Sequence, residues 1–589
     1  MELRRTKPPA PSTTRGRATL LGSDGAHTLC YASGRSVYLV SVQSREMVCF
    51  AEHAHACTVA RFSPDSSAVA SGDSSGVVRV WDANTRKTRS GPLAALGGPV
   101  SDVAFSSDAK TVYVCGAAQG RGRLAGAFDV ERGVLLGALS GLTRNANSLD
   151  VTRDGSRVWT GDDAGTLFAH DASGLNSRPS RSDQGGRSIN SVRCSPSNGV
   201  TAAAGGQALL LYGGDGVPPV SLAGHGGSIY CAEWSLDGQQ LLSSGADKTV
   251  RLWDATSARE VARFSAGSAI EDMQVGCAWL HDCGALASLS LSGDILLFDP
   301  RLAGCHTRIL GHQRAVSTAC AAGGEVWTGD LGGRILRWPA DGCAVRLSGH
   351  KNAVMGAALC SGKLVTAGLD DVASWAPLAA GTAASVSLPG APASVGASAE
   401  GLVAIVCTKG IQIARNACLL SLTPVPGAAC AAISQDGRDV AVGCEDGSLH
   451  LFITAAEKLV TACVLNKHRG AVTAVAFDAA GVRIASCDAN REVVVWDRQP
   501  ACPGWIAKVS LGSMVYHAAR VTSLAWASDG GQLASGSLDG NIILWDMQKP
   551  SSARVTLSNA HREGVTALAW SGDLVSCGAD ACVRFWATK

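Results

Sequence analysis

The stretch GHGGSIYCAEWSLDGQQLLSSGADKTVRLWD, Gly224–Asp254, decides the fold of this chain. Apolar and polar residues alternate with a period of two in three short runs, Ile229–Trp234, Leu241–Ser244 and Thr249–Trp253, and this pattern predicts three β-strands. A sheet of this size has one apolar face and free edges, so it is not stable alone. We therefore expect the unit to recur along the chain.

Four side chains stand at fixed positions in this stretch, and the same set recurs twice near the C-terminus. The three sets are His225, Ser243, Asp247 and Trp253; His517, Ser535, Asp539 and Trp545; and His561, Ser576, Asp580 and Trp586. They contain the residue types of a nucleophilic triad, but an active site is rarely copied within one chain. We interpret each set as a buried structural network in which aspartate, histidine, serine and indole satisfy one another. Other units look incomplete, because Ser75 and Asn490 stand where the aspartate is expected.

Units of this kind repeat about fourteen times, at a period of about 42 residues, which is typical of propeller blades. These are WD-type repeats, and they predict an all-β fold. Propellers usually have four to eight blades, so we expect two seven-bladed WD40 β-propellers in tandem, fourteen blades in all. The predicted domains are an N-terminal segment at 1–12, one propeller at 13–303 and a second at 304–589.

The N-terminal segment has a predicted place in the second propeller. The strand after each Trp-Asp pair forms the outer edge of its blade, but Trp586 lies three residues from the end of the sequence. The last blade would then have an uncovered edge, which is a liability. We expect Glu2–Lys7 to cover that edge, and Pro8 and Pro9 to end the strand.

Composition indicates a cytoplasmic protein that acts by recognition. The net charge is +2 without a long run of one sign, which argues against nucleic-acid and membrane-surface binding. The 21 cysteines are scattered singly, as expected for reduced, buried thiols. The basic, proline-rich Met1–Pro11 is unlike a secretory signal, and the most apolar run, Leu402–Cys407, is too short to span a bilayer.

The sequence contains no pattern for phosphate binding or for a zinc protease, so we predict no enzyme activity, no cofactor and no metal. The remaining interpretation is a monomer in which loops on two rigid propellers bind protein partners.

Several segments resemble the actin-interacting protein 1 family, the WD-repeat partners of cofilin. The similar segments are AEHAHACTVARFSPDSSAVASGDSSGVVRVWD (Ala51–Asp82), QVGCAW (Gln274–Trp279), LSLSGDILLFD (Leu289–Asp299), HAARVTSLAWASDGGQLASGSLDGNIILW (His517–Trp545) and AHREGVTALAW (Ala560–Trp570). The resemblance runs nearly end to end and includes QVGCAW, where the WD pattern itself imposes little. It implies a protein that binds filamentous actin decorated by cofilin (actin-depolymerising factor) and promotes severing and disassembly.

The resemblance also implies a partner surface on the N-terminal propeller. An acidic pair of the family matches Asp162 and Asp163, and a family loop corresponds to Gly116–Gly126, which keeps Arg121 and Arg123 but no acidic residue. A further family segment corresponds to Gly174–Arg187, where this chain lacks aromatic residues. Since aromatic and arginine anchors carry most of the energy of an interface, we expect an affinity or cofilin preference different from that of relatives.

Two other functions remain open on the sequence. The blade end Phe298-Asp299-Pro300-Arg301 approximates the Trp-Asp-x-Arg signature of substrate receptors for cullin-type ubiquitin ligases. A general interaction scaffold is the other alternative. Capture of actin with cofilin, of a cullin adaptor, or of neither would distinguish the three.

Overall fold

The computed structural model describes residues 1–118, 122–175, 177, 179–183, 186–213, 217–302, 304–340, 342–378, 381–499, 505–507 and 515–587. In this part of the chain the fold is all-β, as predicted, with fourteen four-stranded antiparallel sheets. The described residues contain no α-helix, only 3-10 turns at Ile270–Asp272 and Ser551–Ala553. Contacts divide the chain into two compact units, Ala10–Ile309 and Met1–Pro9 with Leu310–Lys589.

In the unit Ala10–Ile309, every described sheet is made of four strands consecutive in sequence, which we call blades 1 to 7. Their strands are β2 Gly22–Ser23, β3 Thr28–Ser33, β4 Ser36–Ser41, β5 Met47–Phe50; β6 Cys57–Phe62, β7 Ala68–Asp73, β8 Val77–Asp82, β9 Thr88–Ala94; β10 Val100–Phe105, β11 Thr111–Gly116, β12 Ala125–Asp129, β13 Leu135–Ala138; β14 Ala146–Val151, β15 Arg157–Asp162, β16 Thr166–Asp171, β17 Ser180–Asp183; β18 Ile189–Cys194, β19 Thr201–Gly205, β20 Ala208–Tyr212, β21 Val220–Ala223; β22 Ile229–Trp234, β23 Gln240–Gly245, β24 Thr249–Asp254, β25 Arg259–Ser265; and β26 Gln274–Leu280, β27 Ala285–Ser290, β28 Ile295–Phe298, β29 Cys305–Ile309.

The second unit contains blades 8 to 14, and one of its strands comes from the N-terminus. Its strands are β30 Val316–Ala322, β31 Glu325–Asp330, β32 Ile335–Trp338, β33 Val345–Leu347; β34 Val354–Cys360, β35 Lys363–Gly368, β36 Val372–Pro377, β37 Ala384–Ser387; β38 Pro392–Ala397, β39 Leu402–Cys407, β40 Gly410–Arg415, β41 Cys418–Thr423; β42 Ala428–Ile433, β43 Asp439–Cys444, β44 Ser448–Ala455, β45 Lys458–Asn466; β46 Val472–Phe477, β47 Arg483–Asp488, β48 Val493–Arg498, β49 Trp505–Ala507; β50 Val521–Trp526, β51 Gln532–Ser537, β52 Ile542–Asp546, β53 Val555–Leu557; and β54 Val565–Ser571, β55 Asp573–Gly578, β56 Val583–Ala587, with β1 Glu2–Lys7.

Each unit closes into a ring through its first and last blades. In the first unit, the Thr19 amide donates to the Val275 carbonyl at 2.9 Å, and Thr13 Oγ1 donates to the Leu291 carbonyl at 2.6 Å. In the second, β30 packs against β54, and Val316 shares one apolar cluster with Val575. The core of each unit therefore lies between neighbouring blades and continues around the ring.

A bulge recurs in the first strands of blades 2 to 14, and in several of them it directs a side chain to the next blade. The register shifts near the start of the first strand, for example between Cys57 and Val59, so that Thr58 is left out of the ladder. Thr58 Oγ1 instead donates to the Val100 carbonyl of the next blade at 2.6 Å. Asn190 does the same with the Ile229 carbonyl at 2.7 Å, as does Thr522 with the Val565 carbonyl at 2.6 Å.

The N-terminal strand β1 forms the outer edge of blade 14, where it pairs antiparallel with β56. Its side chains add further contacts: Arg4 Nη1 lies 2.9 Å from Asp573 Oδ2, and the Arg5 guanidinium lies 4.0 Å from the centre of the Phe585 ring. This strand closes the sheet that would otherwise end at β56.

Candidate functional site

Blade 6 contains the first of the three predicted four-residue networks. His225 lies at the start of the blade, and its Nδ1 is 3.0 Å from Asp247 Oδ2 while its Nε2 is 2.8 Å from Ser243 Oγ. Trp253 Nε1 donates to the same Ser243 Oγ at 2.8 Å. Burial raises the pKa of Asp247, but hydrogen bonds from His225, Thr249 and the Gly226 amide outweigh it and hold that pKa well below its usual value.

Blades 13 and 14 repeat this geometry. His517 Nδ1 lies 3.1 Å from Asp539 Oδ2, and Trp545 Nε1 donates to Ser535 Oγ at 2.9 Å. In blade 14 the matching distances are 2.8 Å, from His561 to Asp580, and 2.8 Å, from Trp586 to Ser576. The three serines are fully buried. A buried hydroxyl that accepts from an indole is not placed to attack a substrate, so the networks hold strands together.

Four more blades contain such networks, which the sequence analysis missed. His53 lies 2.9 Å from Asp73 and 2.8 Å from Ser71, and His312 lies 2.7 Å from both Asp330 and Thr328. His350 pairs with Asp370 at 2.9 Å, and His468 with Ser486 at 2.6 Å.

The expectation that Ser75 and Asn490 replace the aspartate was wrong. In blade 2 the carboxylate comes from Asp73, at the end of the second strand, and Ser75 only donates to it at 2.6 Å. In blade 12 the carboxylate is that of Asp488. An aspartate two residues after the serine, in place of four, is the signal that could have revealed both.

The acidic pair of blade 4 is divided between the interior and the surface. Asp162, the last residue of β15, is 2 % exposed, and its Oδ1 accepts from the Thr166 amide at 2.6 Å and the Ala164 amide at 3.1 Å. Asp163 is exposed, and its backbone amide donates to the Asn145 carbonyl at 3.1 Å. Of the two, only Asp163 has its side chain at the surface, whereas Asp162 accepts hydrogen bonds within the turn.

Of the two arginines predicted to contact a partner from blade 3, the structure describes one. Arg121 lies outside the described residues. Arg123 is half-buried: its Nη1 donates to the Ala95 carbonyl at 3.1 Å, and its guanidinium lies 6.0 Å from the centre of the Phe128 ring. Arg123 thus presents only part of its guanidinium at the surface.

A buried charge cluster connects the first strands of blades 3 to 6, and the sequence analysis did not identify it. Arg193 is 2 % exposed; its Nη1 contacts Asp102 Oδ2 at 3.1 Å and Ser148 Oγ at 3.2 Å, and its Nε contacts Glu233 Oε2 at 3.2 Å. Burial raises the pKa of Glu233, and Arg193 opposes the shift. The sequence signal that could have revealed this cluster is a single charged residue within each otherwise apolar first strand.

A cavity of about 460 Å³ opens beside this cluster within the first unit. Residues of all seven blades line it, among them Arg61, Asp150, Glu233, Trp279 and His281. Arg61 Nη2 lies 2.9 Å from Asp150 Oδ1, so these two opposite charges compensate each other. The cavity wall thus combines paired charges with indole surface.

In the described part of the chain, no helix has the length and apolar character needed to cross a membrane.

Comparison with known proteins gives one family model and a set of full-length relatives. The family model "WD domain, G-beta repeat" matches residues 45–82, 216–254, 460–497, 508–546 and 553–587. "WD repeat-containing protein 1" of Xenopus tropicalis is 30% identical over 618 residues, covering 99% of each chain. "Actin-interacting protein 1-2" of Arabidopsis thaliana is 30% identical over 100% of this chain and 99% of its own. "Actin-interacting protein 1" of Drosophila melanogaster is 29% identical over 98% and 96%.

Proposed function

Because the chain belongs to the actin-interacting protein 1 family of WD-repeat proteins, we propose that it binds filamentous actin together with cofilin and promotes filament severing and disassembly. One observation carries this proposal: the similarity to relatives named for their interaction with actin extends over essentially the whole of this chain. The family model for the WD repeat, in contrast, matches only five separate segments of the chain.

The fold suits a protein that binds two components at once. Each unit has seven described sheets, whose connecting loops form the surface most open to partners. One contact to actin and one to cofilin, each weak alone, give high affinity when they are made by one molecule, because the second contact forms at a high effective concentration. We therefore expect the protein to prefer cofilin-decorated filaments over bare ones.

Co-sedimentation tests this preference directly. Filaments of actin, bare or saturated with cofilin, are pelleted with increasing amounts of the protein, and the bound fraction is measured. We expect saturable binding to decorated filaments and weaker binding to bare ones. Equal, background amounts in both pellets would contradict the proposal and would favour the scaffold alternative.

Within this function, the exposed carboxylate of Asp163 is the proposed contact on blade 4. Asp163→Ala should weaken binding to decorated filaments roughly fivefold, corresponding to about 1 kcal/mol, because a charge pair at the interface is lost. The same co-sedimentation titration measures the change.

Glu445→Ala is the matched control for this variant. Glu445 is also exposed in a hairpin turn, and its amide donates to the Gly427 carbonyl at 2.8 Å, as that of Asp163 does to Asn145. Both variants remove one carboxylate from an equivalent turn, in blades 4 and 11. If Asp163→Ala binds as tightly as Glu445→Ala, the blade 4 turn is not the contact.

A further inference from the structure

The network of blade 12 differs from those of the other blades in the spacing of its histidine and aspartate. His468 Nδ1 and Asp488 Oδ2 are 3.5 Å apart. The matching distance is 2.9 Å between His53 and Asp73. In the five remaining pairs it ranges from 2.7 Å to 3.1 Å. The pair in blade 12 is therefore too far apart for a normal hydrogen bond.

Both of these atoms are buried and lack a partner. His468 is 8 % exposed and Asp488 0 %, and neither His468 Nδ1 nor Asp488 Oδ2 has a hydrogen-bond partner among the described residues. An unsatisfied buried polar atom costs about 1–3 kcal/mol, so a pair of them facing each other calls for an explanation. A cation between them would supply the missing interaction to both.

The turn that follows holds a second carboxylate near this pair, that of Glu492. Glu492 is half-buried, and its amide donates to Asp488 Oδ1 at 2.8 Å. Ligand atoms of His468, Asp488 and Glu492 all lie within 4.8 Å of one another. The Glu492 side chain is partly exposed, so a change of rotamer can shorten its distances to the other two ligand atoms.

In blades 2 and 8 the aspartate also lies at the end of the second strand, but a different residue stands at the position of Glu492. In blade 2 the amide of Val77 donates to Asp73 Oδ1 at 3.1 Å, and in blade 8 that of Arg334 donates to Asp330 Oδ1 at 2.9 Å. Neither valine nor arginine can ligate a cation. In blades 2 and 8 the histidine and the aspartate form a hydrogen bond. In blade 12, where a glutamate stands at this position, they do not.

The hydrogen bonds of His468 leave its Nδ1 available as a ligand. Ser486 Oγ accepts from Trp496 Nε1 at 2.8 Å and lies 2.6 Å from His468 Nε2. A serine oxygen has two lone pairs, so it can accept from Nε2–H as well, which places the proton on Nε2 and the lone pair on Nδ1.

We propose that His468 Nδ1, Asp488 Oδ2 and a Glu492 carboxylate oxygen bind one first-row divalent cation, with zinc the best fit. Ligand atoms around tetrahedral zinc are about 3.4 Å apart, close to the observed distance of 3.5 Å. One imidazole and two carboxylates form a ligand set that zinc accepts, and water completes the fourth position. The ion would tie the start of blade 12 to the turn after its second strand, and would stabilise that blade.

Calorimetric titration of the metal-free protein with Zn²⁺ tests the site. We expect one Zn²⁺ per chain for the wild type, an affinity at least tenfold lower for Glu492→Gln, and an unchanged affinity for the control Glu445→Gln. Both variants keep His468 and Asp488, and a thermal melt without metal verifies that they are folded. Absence of saturable binding, or equal affinities in all three proteins, overturns the proposal.

Co²⁺ as a spectroscopic probe separates this site from the cysteines. A site of one nitrogen and two carboxylates gives only weak visible bands, as we expect for the wild type, and these should disappear in Glu492→Gln. A strong near-ultraviolet charge-transfer band from thiolate ligands, unchanged by Glu492→Gln, shows that the ion lies elsewhere and overturns the proposal.

Discussion

At the residue scale, sequence and structure agree where the position of a side chain along a strand fixes its neighbours. The set His225, Ser243, Asp247 and Trp253 could be predicted because the spacing of its serine, aspartate and tryptophan recurs unchanged in blades 13 and 14. Asp73 was missed because it stands two residues after its serine and not four, and an aspartate at the end of a strand reaches the histidine of its blade as well as one at the tip of the turn does. The sequence also does not distinguish Asp162 from Asp163. The structure shows that Asp162, at the end of β15, is buried and that Asp163 is exposed.

The different burial of Asp162 and Asp163 gives a prediction for stability. Asp162→Ala should lower the free energy of unfolding by about 1–3 kcal/mol, because the Ala164 and Thr166 amides lose their acceptor. Asp163→Ala should change it by less than about 0.5 kcal/mol, since its carboxylate is exposed. Urea unfolding measures both values. A change of less than about 0.5 kcal/mol for Asp162→Ala as well would show that Asp162 does not stabilise the turn.

At the element scale, apolar alternation predicts inner strands well and outer strands poorly. Blade 10, residues 392–423, lacks the histidine and tryptophan of its neighbours, yet it forms a regular sheet of β38 to β41. Backbone pairing and an alternating apolar face are sufficient for a blade. Outer strands such as β45 are mostly exposed, so their sequences are under weaker constraint and show little pattern.

The pairing of β1 with β56 makes the stability of blade 14 depend on the N-terminus. Deleting residues 1–7 should cost about 2–5 kcal/mol, because the backbone hydrogen bonds of one strand pair are lost and the edge of the sheet is exposed. Hydrogen exchange on the full chain locates the effect, and we expect protection to fall in β55 and β56 while the blades of the unit Ala10–Ile309 keep theirs.

Arg4→Ala is the control for the strand itself. The Arg4 side chain is 66% exposed, so its ion pair with Asp573 contributes less than about 1 kcal/mol. If this variant loses as much protection in β56 as the deletion does, the ion pair and not the strand holds the edge.

At the scale of the whole molecule, the repeat period predicts fourteen blades. It does not predict which side chains of different blades contact each other. Arg193, Asp102 and Glu233 meet from three different blades. No local pattern specifies such a meeting, because it depends on how the ring closes. The proposed partner surface has the same property, because loops far apart in sequence would form it, and no single motif therefore predicts it.

The rate at which cofilin-decorated filaments shorten and break, observed by fluorescence microscopy, tests the central claim most directly. With a fixed amount of cofilin, addition of this protein should increase the number of breaks per filament length several-fold, and with bare filaments it should have little effect. An unchanged break rate on decorated filaments, measured with protein that is folded and of full length, would contradict the account.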